Sequence, residues 1–106
     1  MLVYKKDKAS DYFVHDEWIR FDEIFSKLFF YTLKNGRTPN MMRFSMELIG
    51  LETNVHWSRD YTSMVYIIKC GDKKLFYIVY GDGQRVISMS AREDADYLAT
   101  ILRLGI

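Results

Sequence analysis

The sequence predicts an α+β domain: a three-stranded antiparallel meander, four-stranded if a short preceding segment joins it, packed with an N-terminal helix or helix pair and a C-terminal helix. Three stretches predict it. Residues 16–36, "DEWIRFDEIFSKLFFYTLKNG", repeat apolar side chains at three- and four-residue spacings. Residues 66–90, "YIIKCGDKKLFYIVYGDGQRVISMS", set two glycine–aspartate corners between apolar runs. Near the C-terminus, Ser90 and Glu93 form a capping box ahead of an apolar stripe. All 106 residues read as a single domain, 1–106.

In the first helix Trp18, Phe21, Ile24, Phe25, Leu28, Tyr31 and Thr32 make the stripe, with Arg20, Glu23, Lys27 and Lys34 opposite. Asp16 can cap its start and Asn35-Gly36 can stop it, giving a rod of about 30 Å. Phe29, Phe30 and Leu33 widen the apolar surface, so this helix is expected to touch two things. Residues 39–49 carry two signals. Pro39 as an entry, Gly50 as an exit and the lack of β-branched residues favour helix. Met42, Phe44, Met46 and Leu48 alternate with Arg43, Ser45 and Glu47, which is the period of a strand.

Residues 51–60 are turn-like, with a short strand at Val55–Trp57. In the meander, a type I′ turn on Asp82-Gly83 would pair Tyr80 with Arg85, Val79 with Val86, Ile78 with Ile87, Tyr77 with Ser88 and Phe76 with Met89. The first corner admits two centres, Gly71-Asp72 or Asp72-Lys73, and both leave each side chain on the same face. One face then holds Val65, Ile67, Phe76, Ile78, Ile87 and Met89, and is expected to be the core. The other holds Met64, Tyr66, Ile68, Cys70, Leu75, Tyr77, Val79 and Val86 with Ser88 and Ser90, a mixed surface suited to an interface. In the last helix Ala95, Leu98, Ala99 and Leu102 face inward.

Composition narrows the function classes. Eight Tyr, seven Phe and two Trp against one Pro exclude disorder and point to a dense core with a sticky surface. Fifteen basic and fourteen acidic residues, interspersed, make no phosphate-binding stripe, so nucleic acid is not the expected partner. A stripe built in three dimensions would have to draw on Lys5, Lys6, Lys8, Lys73 and Lys74. The single Cys70 suits a reducing compartment, and no signal peptide or membrane-spanning run is visible, so the expectation is a cytoplasmic protein. Gly81-Asp82-Gly83 leads into no helix and reads as a turn, not a phosphate loop. Cys70 with His15 or His56 lacks the spacing evidence for a nucleophile–base pair, and two histidines make no zinc pattern. Asp22-Glu23 and Glu93-Asp94-Asp96 read as solvated helix carboxylates. No catalytic residue, metal or cofactor is assigned.

Two family patterns touch this chain. The order helix, three antiparallel strands, helix resembles double-stranded RNA-binding domains, but the last helix opens on the acidic "AREDADYL". "RFDEIFSKLF" and "GDKKLFYIVYGDGQRVISMSARED" resemble two pieces of small RelE-like ribonuclease toxins of the BrnT type. That resemblance implies RNA as substrate, with Arg85 and Arg92 as phosphate contacts and Lys73 and Lys74 beside them. The residues themselves favour a different expectation: a non-catalytic protein-binding module, an inhibitor or regulator, with a protein partner or a second copy as a homodimer. Its expected surface is Tyr66, Tyr77 and Ser88 on the sheet, or the rim of the first helix at Phe29 and Phe30.

Overall fold

A computed structural model describes residues 16–37, 39–88 and 91–105. The expectations for Lys5, Lys6, Lys8, His15, Met89 and Ser90 lie outside them. The elements are α1 (Asp16–Lys34), α2 (Pro39–Leu48), β1 (Glu52–Trp57), β2 (Ser63–Cys70), β3 (Lys73–Tyr80), β4 (Arg85–Ser88) and α3 (Arg92–Gly105). The strands form one antiparallel sheet in the order β1-β2-β3-β4, so the segment around Val55–Trp57 does join and the meander is four-stranded. No helix among the described residues is long and apolar enough to cross a membrane.

Residues 39–48 are helix because both ends are specified locally. Gly50 has φ +88°, its amide bonds the Glu47 carbonyl, and the Leu51 amide bonds the Met46 carbonyl. That is a Schellman closure, and it places Leu51 and Met46 in the core together. The strand-like alternation has no structural counterpart: Met42 and Met46, four apart, are buried, while Leu48 is exposed.

The two corners of the meander differ. The first closes on Gly71-Asp72, with Cys70 opposite Lys73. The second is a three-residue loop, not the expected type I′ turn. A type I′ turn needs positive φ at both central residues; Gly83 has φ +88° but Asp82 does not, and the Tyr80 amide bonds the Gln84 carbonyl. The pairs are therefore Val79 with Arg85, Ile78 with Val86, Tyr77 with Ile87 and Phe76 with Ser88, one residue from expectation. The slip carries Arg85 and Ile87 to the face of Tyr77, and Val86 and Ser88 to the face of Phe76.

The buried face is the reverse of the one expected. Met64, Tyr66, Ile68, Leu75, Tyr77 and Val79 lie under the helices in one cluster with Phe21, Phe25, Phe29, Leu98 and Leu102. Val65, Ile67, Phe76 and Ile78 are half-buried on the opposite face, and Val86 there is buried. Two phenol groups, those of Tyr66 and Tyr77, thus lie in the core. They are accommodated because α1 brings its own polar group inside, Asp22, as acceptor for the Tyr77 hydroxyl. The Tyr66 hydroxyl has no such partner among the described residues, and burial pushes its pKa far above the ordinary phenol value.

α3 buries Ala95, Leu98, Ala99 and Leu102, the four residues its spacing predicts. It lies beside α1, tied at the surface by Arg20–Asp96 at 2.5 Å and Arg92–Glu17 at 3.8 Å, exposed pairs that contribute little. At its end, Gly105 runs so close to Ile49 that an added Cβ would sit 2.7 Å from the Ile49 Cβ. Gly105→Ala should therefore destabilise the fold by about 1–2 kcal/mol, read from urea unfolding, through overpacking at this contact. An unchanged midpoint would show that α3 has not closed on Ile49.

Candidate binding site

The expected surface residues separate once placed. Tyr66 and Tyr77 are fully buried and Phe29 is buried. Phe25 lies against both tyrosines, at ring-centroid distances of 5.2 and 4.4 Å, and Phe29 lies edge-on to Tyr66 at 5.7 Å. The tyrosine face is thus the monomer's own core and offers no interface. Ser88 lies half-buried on the opposite face. Phe30, like Ser88, stays partly accessible, packed at right angles to Phe29.

The cations implied by the toxin resemblance are engaged with carboxylates or a ring, and Arg85 stands apart from Lys73, Lys74 and Arg92. Arg85 is buried and bonds Asp22 twice, Nε to Oδ1 at 2.5 Å and Nη2 to Oδ2 at 2.8 Å. Lys73 is 3.7 Å from Asp94, and the Lys74 amide bonds the same carboxylate while its ammonium lies 4.9 Å from the Phe76 ring centre. Cys70 and His56 point to opposite faces of the sheet, since His56 pairs with Val65 and Cys70 is in phase with Tyr66. They cannot act as a thiol and its base.

The accessible aromatic surface lies where α1 stops covering the sheet. Trp57, Met64 and Val79 are neighbours in one cross-strand row on the helix side. Phe29, Phe30 and Leu33 of α1 close the other wall of a pocket of about 230 Å³ over that row. Tyr61, from the β1–β2 loop, and the β3–β4 turn at Gly81 and Gly83 complete its rim. Trp57 is 56% and Tyr61 74% exposed, with ring centres 6.4 Å apart.

The loop that carries Tyr61 is tied down. The Ser58 amide bonds the Ser63 carbonyl, the Tyr61 amide bonds the Ser58 carbonyl, and Ser58 Oγ accepts from the Thr62 and Ser63 amides. Asp60 Oδ1 accepts from both the Ser58 and Thr62 hydroxyls at 2.7 Å. These bonds, Ser58 foremost, lower the Asp60 carboxyl pKa from 3.8 to about 2. Its folded value lies below its unfolded one, so this tie holds above pH 3.8 and is lost as the pH falls toward 2. The Thr62 carbonyl also accepts the Gly81 amide, joining this loop to the next turn. Within this frame Tyr61 has φ +59°, the one non-glycine residue with positive φ among those described. A β-carbon in that region costs about 1–2 kcal/mol, and nothing local to a tyrosine repays it.

A second depression, about 650 Å³ and wide open, lies between α1 and α3. Its walls are Glu23, Lys27 and Arg103 with Ile24, Leu28 and Tyr31, so long side chains of two helices define it.

Sequence reasoning missed Trp57, Tyr61 and Asp22. The first two flank "SRD", whose Ser58 and Asp60 are the residue types that bond their own backbone in tight turns. That spacing, between two large rings, was the available signal. No protein-family model, no curated protein and no solved structure matches this chain.

Proposed function

We propose that this protein is a non-catalytic protein-binding module, of the inhibitor or regulator kind, that docks a protein partner on the aromatic pocket at Phe30, Trp57 and Tyr61. The strained backbone of Tyr61 carries the reading. A loop cross-tied by Ser58, Asp60 and Thr62 holds a bulky residue in an unfavourable conformation with its ring largely in water. Stability alone selects glycine or asparagine there, and retained strain of this kind belongs to sites whose geometry is used. Tyr and Trp are also the side chains that most often anchor interfaces, because they desolvate large areas at little rotamer cost. The helix rim expected at Phe30 supplies the pocket's inner wall.

Separate effects on fold and binding test this. Tyr61→Gly should raise stability slightly or leave it unchanged, since glycine removes the strain, while Trp57→Ala with Tyr61→Gly should weaken partner binding by about 100-fold. Thermal denaturation reads the first effect. Affinity capture followed by hydrogen exchange reads the second, with protection expected at residues 57–63 and 29–33. Light scattering tells a second copy from a different partner. A partner whose footprint avoids these segments, or binds the double variant unchanged, would overturn the assignment.

A further inference from the structure

We propose that the α1–α3 face binds a second copy of this chain, the two related by a two-fold axis that sets their helices antiparallel. This goes beyond the docking reading and uses the other flank of α1.

Helix direction comes first. Glu17 meets Arg92, Arg20 meets Asp96, and Lys27 and Arg103 border one depression, so α1 and α3 run parallel. Their charge is divided along their length. The leading halves, residues 16–23 and 92–96, carry Asp16, Glu17, Glu23, Glu93, Asp94 and Asp96 exposed or half-exposed, against Arg20 and Arg92. Both of those arginines are spent on Asp96 and Glu17, and Asp94 faces Lys73. Asp16, Glu23 and Glu93 remain without an ion pair among the described residues. The trailing halves, residues 24–37 and 97–105, carry Lys27, Lys34, Arg37 and Arg103 and no carboxylate. A copy turned end for end lays each acidic half on a basic half, whereas a parallel copy stacks like on like. An unrelated partner would have to bring the same division reversed. A second copy carries it already.

The groove puts this charge beside apolar surface. Ile24, Leu28 and Tyr31 line it together with Glu23, Lys27 and Arg103, over about 650 Å³. Tyr31 stands largely in water, and Tyr97 and Leu104 of α3 are exposed as well. Glu23 and Lys27 are one helical turn apart, yet neither they nor Arg103 form an ion pair among the described residues. A two-fold axis near Ile24 and Leu28 brings Glu23 of each copy to Lys27 and Arg103 of the other, with Ile24 against Leu28 between them. Phe30 and Leu33 lie on the opposite flank of α1, so the dimer leaves both aromatic pockets open.

Charge reversal tests the occupant, because Glu23, Lys27 and Arg103 are exposed and can be changed without touching the core. Sedimentation equilibrium should give a dimer mass at about 100 µM protein, with association weakened by added salt. Glu23→Lys should weaken self-association by about tenfold or more, since both symmetric contacts reverse at once. Lys27→Glu with Arg103→Glu should do the same. Mixing these two proteins should restore a dimer containing one of each, read by native mass spectrometry. A wild-type monomer at that concentration, a dimer unmoved by either reversal, or a mixture that stays monomeric would overturn the two-fold. So would a different protein seated on residues 23–31 of a monomeric chain. Dimer loss in the Trp57→Ala, Tyr61→Gly variant alone would move self-association to the aromatic pocket and overturn it too. The docking reading stands apart, and falls only to a partner footprint away from residues 57–63 or to unchanged binding by that double variant.

Discussion

Asp22→Ala should destabilise the protein by about 3–5 kcal/mol, seen as a lower urea midpoint at unchanged slope. The two partners are 5% and 8% exposed in their side chains, so water cannot replace what is removed. Arg85 would keep its charge inside the fold without the carboxylate that bonds its Nε and Nη2. Its Nη1 already has no hydrogen-bond partner among the described residues, so it holds no spare contact there to fall back on. The same substitution takes from the Tyr77 hydroxyl the acceptor it uses here. The cost measures a stranded cation, not the worth of the ion pair. Asp22→Leu combined with Arg85→Met should therefore recover most of the loss, because two desolvated charges give way to apolar volume. A cost below about 1 kcal/mol for Asp22→Ala would mean that the pair is hydrated in solution.

That pair also explains which parts of this molecule were legible beforehand. α3 was legible to the residue because its stripe, Ala95, Leu98, Ala99 and Leu102, contains no polar exception. α1 was legible as a helix, and Trp18, Phe21, Phe25 and Thr32 of its expected stripe are buried, but one edge of the buried face differs. Asp22 and Phe29 are inside and Tyr31 is 65% exposed, so the stripe is rotated toward the residue that serves Arg85 and Tyr77. Periodicity ranks side chains by hydrophobicity and cannot foresee a carboxylate buried by a partner sixty-three residues away in the chain. The sheet was legible as an antiparallel meander, and only its buried face and the β3–β4 register differ, for a related reason. Both faces are apolar enough to be buried, so the decision fell to hydroxyls whose acceptor was invisible, and to a turn where one residue more or less exchanges the faces of β4. α2 was decided by its ends, where Pro39 and Gly50 act locally. The pocket was half legible. Phe30 was singled out as surplus surface, but Trp57 and Tyr61 come together only through the tied loop between them.

Phe25→Ala should cost about 3–5 kcal/mol and leave little folded protein at elevated temperature, whereas Phe30→Ala should cost far less and fall mainly on binding. The contrast follows from position, since the two rings are five residues apart on one helix. Phe25 is wholly buried, with ring centres 5.5 Å from Phe21, 5.2 Å from Tyr66 and 4.4 Å from Tyr77. Its loss removes the transfer energy of a full ring and leaves a hole whose walls are themselves rigid rings on a sheet and a helix, which collapse poorly. Each lost aromatic pair adds about 0.5–1.5 kcal/mol to that. Phe25→Leu should recover roughly half, since volume returns without the ring geometry. Phe30 stands only half-buried, against Phe29 and the open pocket, so truncation there enlarges a cavity that water already reaches. Its destabilisation should stay near 1 kcal/mol while partner affinity drops, measured by chemical denaturation beside calorimetric titration. If Phe30→Ala unfolds the protein as severely as Phe25→Ala, the rim of α1 is core, and the surplus ring surface from which the binding proposal starts does not exist.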